Sequence, residues 1–230
     1  MHRPWDDLPT VECGEPLVPL PETVVRWQPH PYQVLGAPYG DCSPWQVRQG
    51  LAKRLAMAQQ ALAQECPGWS LRIYDAYRPL AVQTFMVDYA CQQVATMQGT
   101  PWSELSAAQR AAVQAQVAQF WALPDPERAP PHSTGAAVDV TLQDATGQVV
   151  DMGGVLDEVS PRSFPDFYAG QSNPLARAYH QHRQKLCAAM HAAGFVRHPN
   201  EWWHFAWGDR LWAYVQGAPA AVYGRADLLC

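Results

Sequence analysis

The sequence predicts an α+β fold, an antiparallel sheet flanked by helices within a single domain. Three observations lead there. Segments with strand and helix periodicity are interleaved without the regular spacing of β-α-β units, and one pair of strand-like segments is separated only by a turn, which reads as a hairpin. A chain of 230 residues that is 48% hydrophobic can bury one substantial core, which favours one large domain over two small ones. No internal repeat or low-complexity tract divides it.

Residues 1–44 hold nine prolines, which fix backbone angles and remove amide donors, so this stretch is expected to be extended or looped. Trp5, Trp27, Tyr32 and Tyr39 argue against disorder, and the segment is expected to wrap the core. Ser43-Pro44 then reads as a helix start, with Val47, Leu51, Leu55 and Leu62 on one buried face as far as about Gln64. Pro67-Gly68 ends that helix, and Leu71, Ile73 and Tyr74 to Tyr77 read as a strand stopping at Arg78-Pro79.

A helical period returns from Leu80 to about Met97 through Val82, Phe85, Met86 and Tyr89, and Thr100-Pro101 is expected to cap another helix carrying Leu105, Val113, Val117 and Phe120. Four prolines between Leu123 and Pro131 make a loop that delivers the chain to His132. Ala136 to Leu142 alternates as a half-buried strand, Ala145-Thr146-Gly147 turns, and Gln148 to Met152 is expected to return as its hairpin partner. Residues 153–172 are irregular. Asn173-Pro174 starts a helix with Leu175, Tyr179, His182, Leu186 and Met190 on one stripe, and Gly194 closes it. Glu201 to Trp207 reads as the last strand.

A formal charge of -5 with no Lys/Arg run excludes the electrostatic footprint of a nucleic-acid binder. No stretch reaches the ~20 consecutive apolar residues of a membrane span, and the N-terminus does not resemble a secretory signal, so a cytoplasmic protein is expected. Six scattered cysteines, at 13, 42, 66, 91, 187 and 230, form no C-x-x-C pair and read as free thiols.

The chemistry concentrates in His132-Ser-Thr-Gly-Ala-Ala-Val-Asp139 and Glu201-Trp-Trp-His204. A catalytic zinc takes three protein ligands from His, Asp or Glu and leaves a fourth position open, and His132, Asp139 and His204 fit those places. Gly135 allows the tight turn that brings a loop histidine to an aspartate on the following strand. Glu201 is the candidate general base and Arg78 the candidate electrophile for a carbonyl oxygen. On a regular strand Glu201 and His204 would face opposite sides, so Glu201 is required to lie in the loop after Pro199-Asn200 or at a bulge. His2, His30, His180, His182, His191 and His198 read as ordinary surface or core residues, and Arg78 is alternatively an ion-pair partner of Asp75 or Asp88.

Together, Tyr74-Asp-Ala-Tyr-Arg-Pro79, the His132 to Leu142 segment, Met152-Gly with Asp157, Gly194-Phe and Glu201-Trp-Trp-His-Phe205 resemble the VanX-type D-alanyl-D-alanine dipeptidases, relatives of the zinc D,D-carboxypeptidases. The match spans roughly residues 45 to 207. The resemblance implies a sheet that carries one zinc per chain on His132, Asp139 and His204, with Glu201 as base and Arg78 stabilising the transition state. It implies a D,D-dipeptide substrate cleaved to free D-alanine, its amino group bound by Asp157. Residues 1–44 are then a wrap around a zinc D,D-peptidase catalytic domain over 45–230, the two forming one structural unit. The Glu-Trp-Trp-His form and the long segment between Arg78 and His132 resemble the dipeptidase branch. Pro130 stands where dipeptidases often carry a serine that contacts substrate, and either Tyr32 or Tyr39 takes the place of a tyrosine near the substrate. A D,D-carboxypeptidase acting on peptidoglycan peptides and a non-hydrolytic zinc-binding module are the alternatives; retention of Glu201 and Arg78 argues against the second.

Overall fold

The computed structural model describes residues 3–226; His2 and Cys230 lie outside them. The proline-rich start supplies β1 (Leu17–Pro19), β2 (Val25–Arg26) and the short α1 (Pro31–Val34), whose N-cap His30 accepts from the Tyr32 amide. Next come β3 (Gln46–Arg48) and α2 (Gln49–Glu65). The helix therefore begins five residues later than Ser43-Pro44 predicts, and Val47 belongs to a strand. Tertiary hydrogen bonds take the backbone that a helix would use: Arg48 N donates to Gly135 O (2.9 Å) and Gln49 N to Pro16 O (3.1 Å). Glu15 caps the new start by accepting from Gly50 N at 2.7 Å, where a carboxylate suits the positive end of the helix.

β4 (Ser70–Asp75) and α3 (Leu80–Met97) lie where the periodicity places them. The following helix does not run from Pro101 to Phe120. A single 3-10 turn covers Trp102–Glu104, and α4 (Ala107–Val117) restarts at Ser106, whose capping box with Gln109 is the stronger start signal. β5 (Ala137–Gln143) is buried on both faces rather than half-buried. Its expected hairpin partner shrinks to one bridge between Gln143 and Val149, because Asp144 Oδ1 takes the amides of Thr146 and Gln148 into a local turn. α5 (Pro174–Ala192), capped by Asn173, has Leu186 and Met190 buried but Leu175 exposed. The chain ends with β6 (Val196–Arg197), β7 (His204–Ala206) and α6 (Arg210–Gln216).

The main sheet has the order β2-β4-β5-β7-β6. Its four-strand body is antiparallel, as expected, but β2 joins the edge parallel to β4, so the sheet is mixed. A parallel neighbour needs a long crossover, which the chain from β2 through α2 provides. β1 and β3 form a separate antiparallel pair.

One face of the sheet buries Leu71, Ile73, Val138, Val140, Leu142 and Phe205 under α2 and α5. α3 and α4 build a second cluster with Tyr32, Tyr39 and Trp121. Between these two bodies the polar face of β5 is left for chemistry. The five described cysteines form no disulfide among the described residues, and among those residues no helix is long and apolar enough to cross a membrane.

Candidate metal centre and active site

The site is built on one row across the sheet. Asp139 on β5 pairs with Asp75 on β4 and with His204 on β7, so three polar side chains stand side by side. A register shift between Ile73 and Asp75 makes this possible. Successive residues of a strand alternate faces, so without the bulge Asp75 would share the core face of Ile73 and carry a charge into the hydrophobic layer.

His132 comes from a 3-10 turn, Pro131–Thr134, closed by Gly135 in the left-handed region (φ 69°). A Cβ on Gly135 would meet Leu17 Cδ2 at 2.5 Å, so glycine is required for both conformation and space. The turn is tied to the strand end beside it: Arg78 N donates to His132 O (3.3 Å) and Ser133 Oγ to Arg78 O (2.8 Å).

His132 Nε2, His204 Nδ1 and the Asp139 carboxylate converge. The two imidazole nitrogens are 3.1 Å apart, His204 Nδ1 is 3.1 Å from Asp139 Oδ1, and His132 Nε2 is 3.3 Å from Asp139 Oδ2. Ligands about 2.0–2.1 Å from a tetrahedral zinc stand about 3.3 Å from one another, so the donor set fits such an ion. Tautomer control agrees at one candidate ligand: His132 Nδ1 lies 2.7 Å from Ala76 O, a bond that takes its N–H and leaves the Nε2 lone pair facing the cluster. The Nε2 of His204 is buried without a hydrogen-bond partner among the described residues. Burial alone would raise Asp139, but His132 and His204 hold it well below the usual carboxylate range.

Glu201 lies outside β7, in the turn from β6, and this resolves the facing problem posed by its three-residue spacing from His204. Its Oε2 is 3.7 Å from His204 Nδ1 and 3.6 Å from His198 Nδ1. Burial, and then the charge of Asp139, push its carboxyl up to about 8. Arg78 is 4% exposed and held from every side. It donates to Asp75 Oδ2 (2.8 and 3.1 Å), Gln83 Oε1 (2.8 Å) and Tyr32 Oη (3.1 Å), and lies about 5 Å from the ring centroids of Tyr32 and Trp121. It also approaches Asp139 at 3.5 Å, so the ion pair with Asp75 and the place at the site are both real.

Asp157 is half-buried on the same cleft and adopts a left-handed backbone (φ 62°). Tyr32 Oη donates to its Oδ2 at 2.8 Å; burial and then Asp139 push the carboxyl up to about 7 against the pull of Arg78. Tyr39 reaches a different carboxylate, Asp75 Oδ1, at 3.3 Å. The cleft, about 450 Å³ to its open mouth, is lined by Arg78, His132, Asp139, Asp157, Glu201 and His204 together.

A family model described as D-ala-D-ala dipeptidase (peptidase M15) matches residues 26–220. The chain belongs to the D-ala-D-ala dipeptidase family. Over 240 positions it is 43% identical to a D-alanyl-D-alanine dipeptidase of Synechocystis sp., covering 98% of this chain and 97% of that protein. A D-alanyl-D-alanine dipeptidase of Escherichia coli is 32% identical over 161 residues, 67% of this chain and 61% of the other. One from Enterococcus faecalis is 24% identical over 155 residues, 67% and 70% of the two chains.

In this member of the D-ala-D-ala dipeptidase family the structure adds residues that sequence reasoning left aside. Asp75 is fully buried and touches His30 (3.1 Å), Arg78 and His132 Nδ1 (3.3 Å), so it is more than a salt-bridge partner. His198, read as ordinary, lines the cleft beside Glu201. The sequence carries a weak signal for Asp75, three residues before Arg78 at a strand end, and none for His198.

Proposed function

We propose that this chain hydrolyses D-alanyl-D-alanine to two molecules of D-alanine, with one zinc ion held by His132, Asp139 and His204. The observation that carries the reading is the convergence of those three donors at 3.1–3.3 Å, with the Glu201 carboxylate 3.7 Å away and Asp157 in the same cleft. Zinc held by these three residues would supply a Lewis acid and a positive charge that favours the ionised form of Glu201. Glu201 accepts a proton from the attacking water and hands it to the leaving nitrogen as the C–N bond breaks. Arg78, immobilised by Asp75, Gln83 and two aromatic rings, presents a fixed cation to the negative charge that develops on the carbonyl oxygen. Asp157 accepts from the substrate ammonium, with Tyr32 fixing the carboxylate.

The test is release of D-alanine by zinc-loaded and metal-stripped protein from D-Ala-D-Ala, from L,D- and L,L-dipeptides, and from an acylated pentapeptide ending in D-Ala-D-Ala. Zinc-dependent cleavage of the D,D-dipeptide alone is expected. Cleavage of the pentapeptide would move the reading to a carboxypeptidase, and no cleavage of any peptide to a non-hydrolytic zinc protein.

A further inference from the structure

We propose that Arg3, on the N-terminal arm, receives the C-terminal carboxylate of the substrate and so sets the preference for a peptide that ends there. This rests on the dipeptidase reading and extends it to the other end of the substrate. A free dipeptide carries an ammonium and a carboxylate. Asp157 answers the first, and a cation is needed for the second. Two arginines line the cleft, Arg78 and Arg3. Arg78 gives four hydrogen bonds to Asp75, Gln83 and Tyr32 and is already assigned to the carbonyl oxygen. Arg3 is not so engaged: among the described residues its guanidinium, with five N–H donors, makes one hydrogen bond, from Nη2 to Ala118 O at 3.2 Å.

Arg3 also lines two hollows that open beside the cleft, which puts it on the rim rather than in the floor. The adjoining wall is Pro130-Pro131, two successive residues without an amide N–H, so the backbone there offers a carboxylate nothing. Arg3 is held in place. Its own N–H donates to Asp6 Oδ2 at 2.7 Å, and Trp5 sets its ring edge-on against His198, another cleft residue, at 5.9 Å between centroids. Trp5 also packs against the small cluster of Ala137, Val196, Ala206 and Leu211, which anchors the arm to the sheet that carries the site.

The experiment compares D-Ala-D-Ala with its C-terminal carboxamide, using wild-type protein and the Arg3→Gln and Arg3→Lys variants, zinc-loaded and full length. Loss of one charge-assisted hydrogen-bond partner is expected to raise KM for the free acid about ten- to a hundredfold in Arg3→Gln, with a much smaller change in kcat. The preference for acid over amide should fall by the same factor, and Arg3→Lys should recover part of it. An acid-to-amide preference that stays at the wild-type value in Arg3→Gln, or a loss confined to kcat, would overturn the assignment. Wild-type protein that cleaves neither compound would instead sink the dipeptidase reading on which it stands.

Discussion

Replacing Asp75 with asparagine is a sharp test of how the site is held. The change keeps shape and volume and removes one negative charge from a carboxylate whose side chain has no solvent exposure. Arg78, itself 4% exposed, would lose its charged partner at 2.8 Å and keep Asp139, at 3.5 Å, as its remaining ion pair. His30 and His132 Nδ1 would each lose a carboxylate contact, at 3.1 and 3.3 Å. Breaking a buried ion pair from one side costs about 3–5 kcal/mol, and because Asp139 remains, the lower end applies here. At about 2–4 °C per kcal/mol for a chain of this size, Tm should fall by roughly 6–12 °C. Arg78 would no longer be fixed at its acidic partner, and a displacement on the order of 1 Å costs ~100-fold in rate. Thermal unfolding and kcat/KM for D-Ala-D-Ala, both on zinc-loaded protein, give the two readouts. A Tm within about 2 °C of wild type, the size of an ordinary surface substitution, together with unchanged kcat/KM, would refute the argument that Asp75 anchors the arginine.

With Glu201 as the proposed base and not a ligand, Glu201→Gln should lower kcat by about 10²–10⁴-fold while zinc content, measured by elemental analysis, stays at the wild-type level. His204→Ala should lose the metal itself, so its zinc content drops and added zinc does not restore activity; retained stoichiometry would break the ligand assignment. Asp209, the buried N-cap of α6, is pushed by burial up to about 6 even though Trp212 N donates to it. Its proton is bound more tightly in the folded than in the unfolded chain, so stability falls as pH rises from about 4 to about 6 and the penalty persists above that. Asp209→Asn keeps a good cap and removes the charge, so it should raise stability by roughly 1–3 kcal/mol at pH 7 and by little at pH 4, read from denaturant unfolding at the two pH values.

The parts of this molecule that were legible in the sequence are those whose determinants are local. The strand at 70–75, the helices at 80–97 and 174–192, and the turn from His132 through Gly135 to Asp139 each carry their own start, stop or periodicity. Where a distant partner decides, the sequence was silent. α2 starts at Gln49 because Gly135 and Pro16, far along the chain in either direction, take the amides before it. Asp75 faces the site only through a bulge that no residue type announces. The choice between Tyr32 and Tyr39 turns on whether a hydroxyl reaches Asp157 or Asp75, a matter of packing rather than of motif.

The same distinction explains why the His132 turn is reinforced from so far away. A 3-10 turn of four residues has little stability of its own, yet it must hold one imidazole nitrogen within a few tenths of an ångström of a donor geometry. Arg48, fully buried at the end of β3, provides the restraint: its Nε donates to Thr134 O at 2.8 Å and its backbone N to Gly135 O at 2.9 Å. The other arm of the guanidinium reaches Glu12 Oε2 and Gly224 O, both at 2.9 Å, so segments near the two ends of the described chain meet behind the turn. A planar cation with several fixed donors suits this role, which a single ammonium could not fill at all three of these side-chain contacts. The early proline-rich segment and the backbone at Gly224 therefore act on the candidate metal site through one side chain. The precision of His132 depends on residues more than 80 positions away on either side of it.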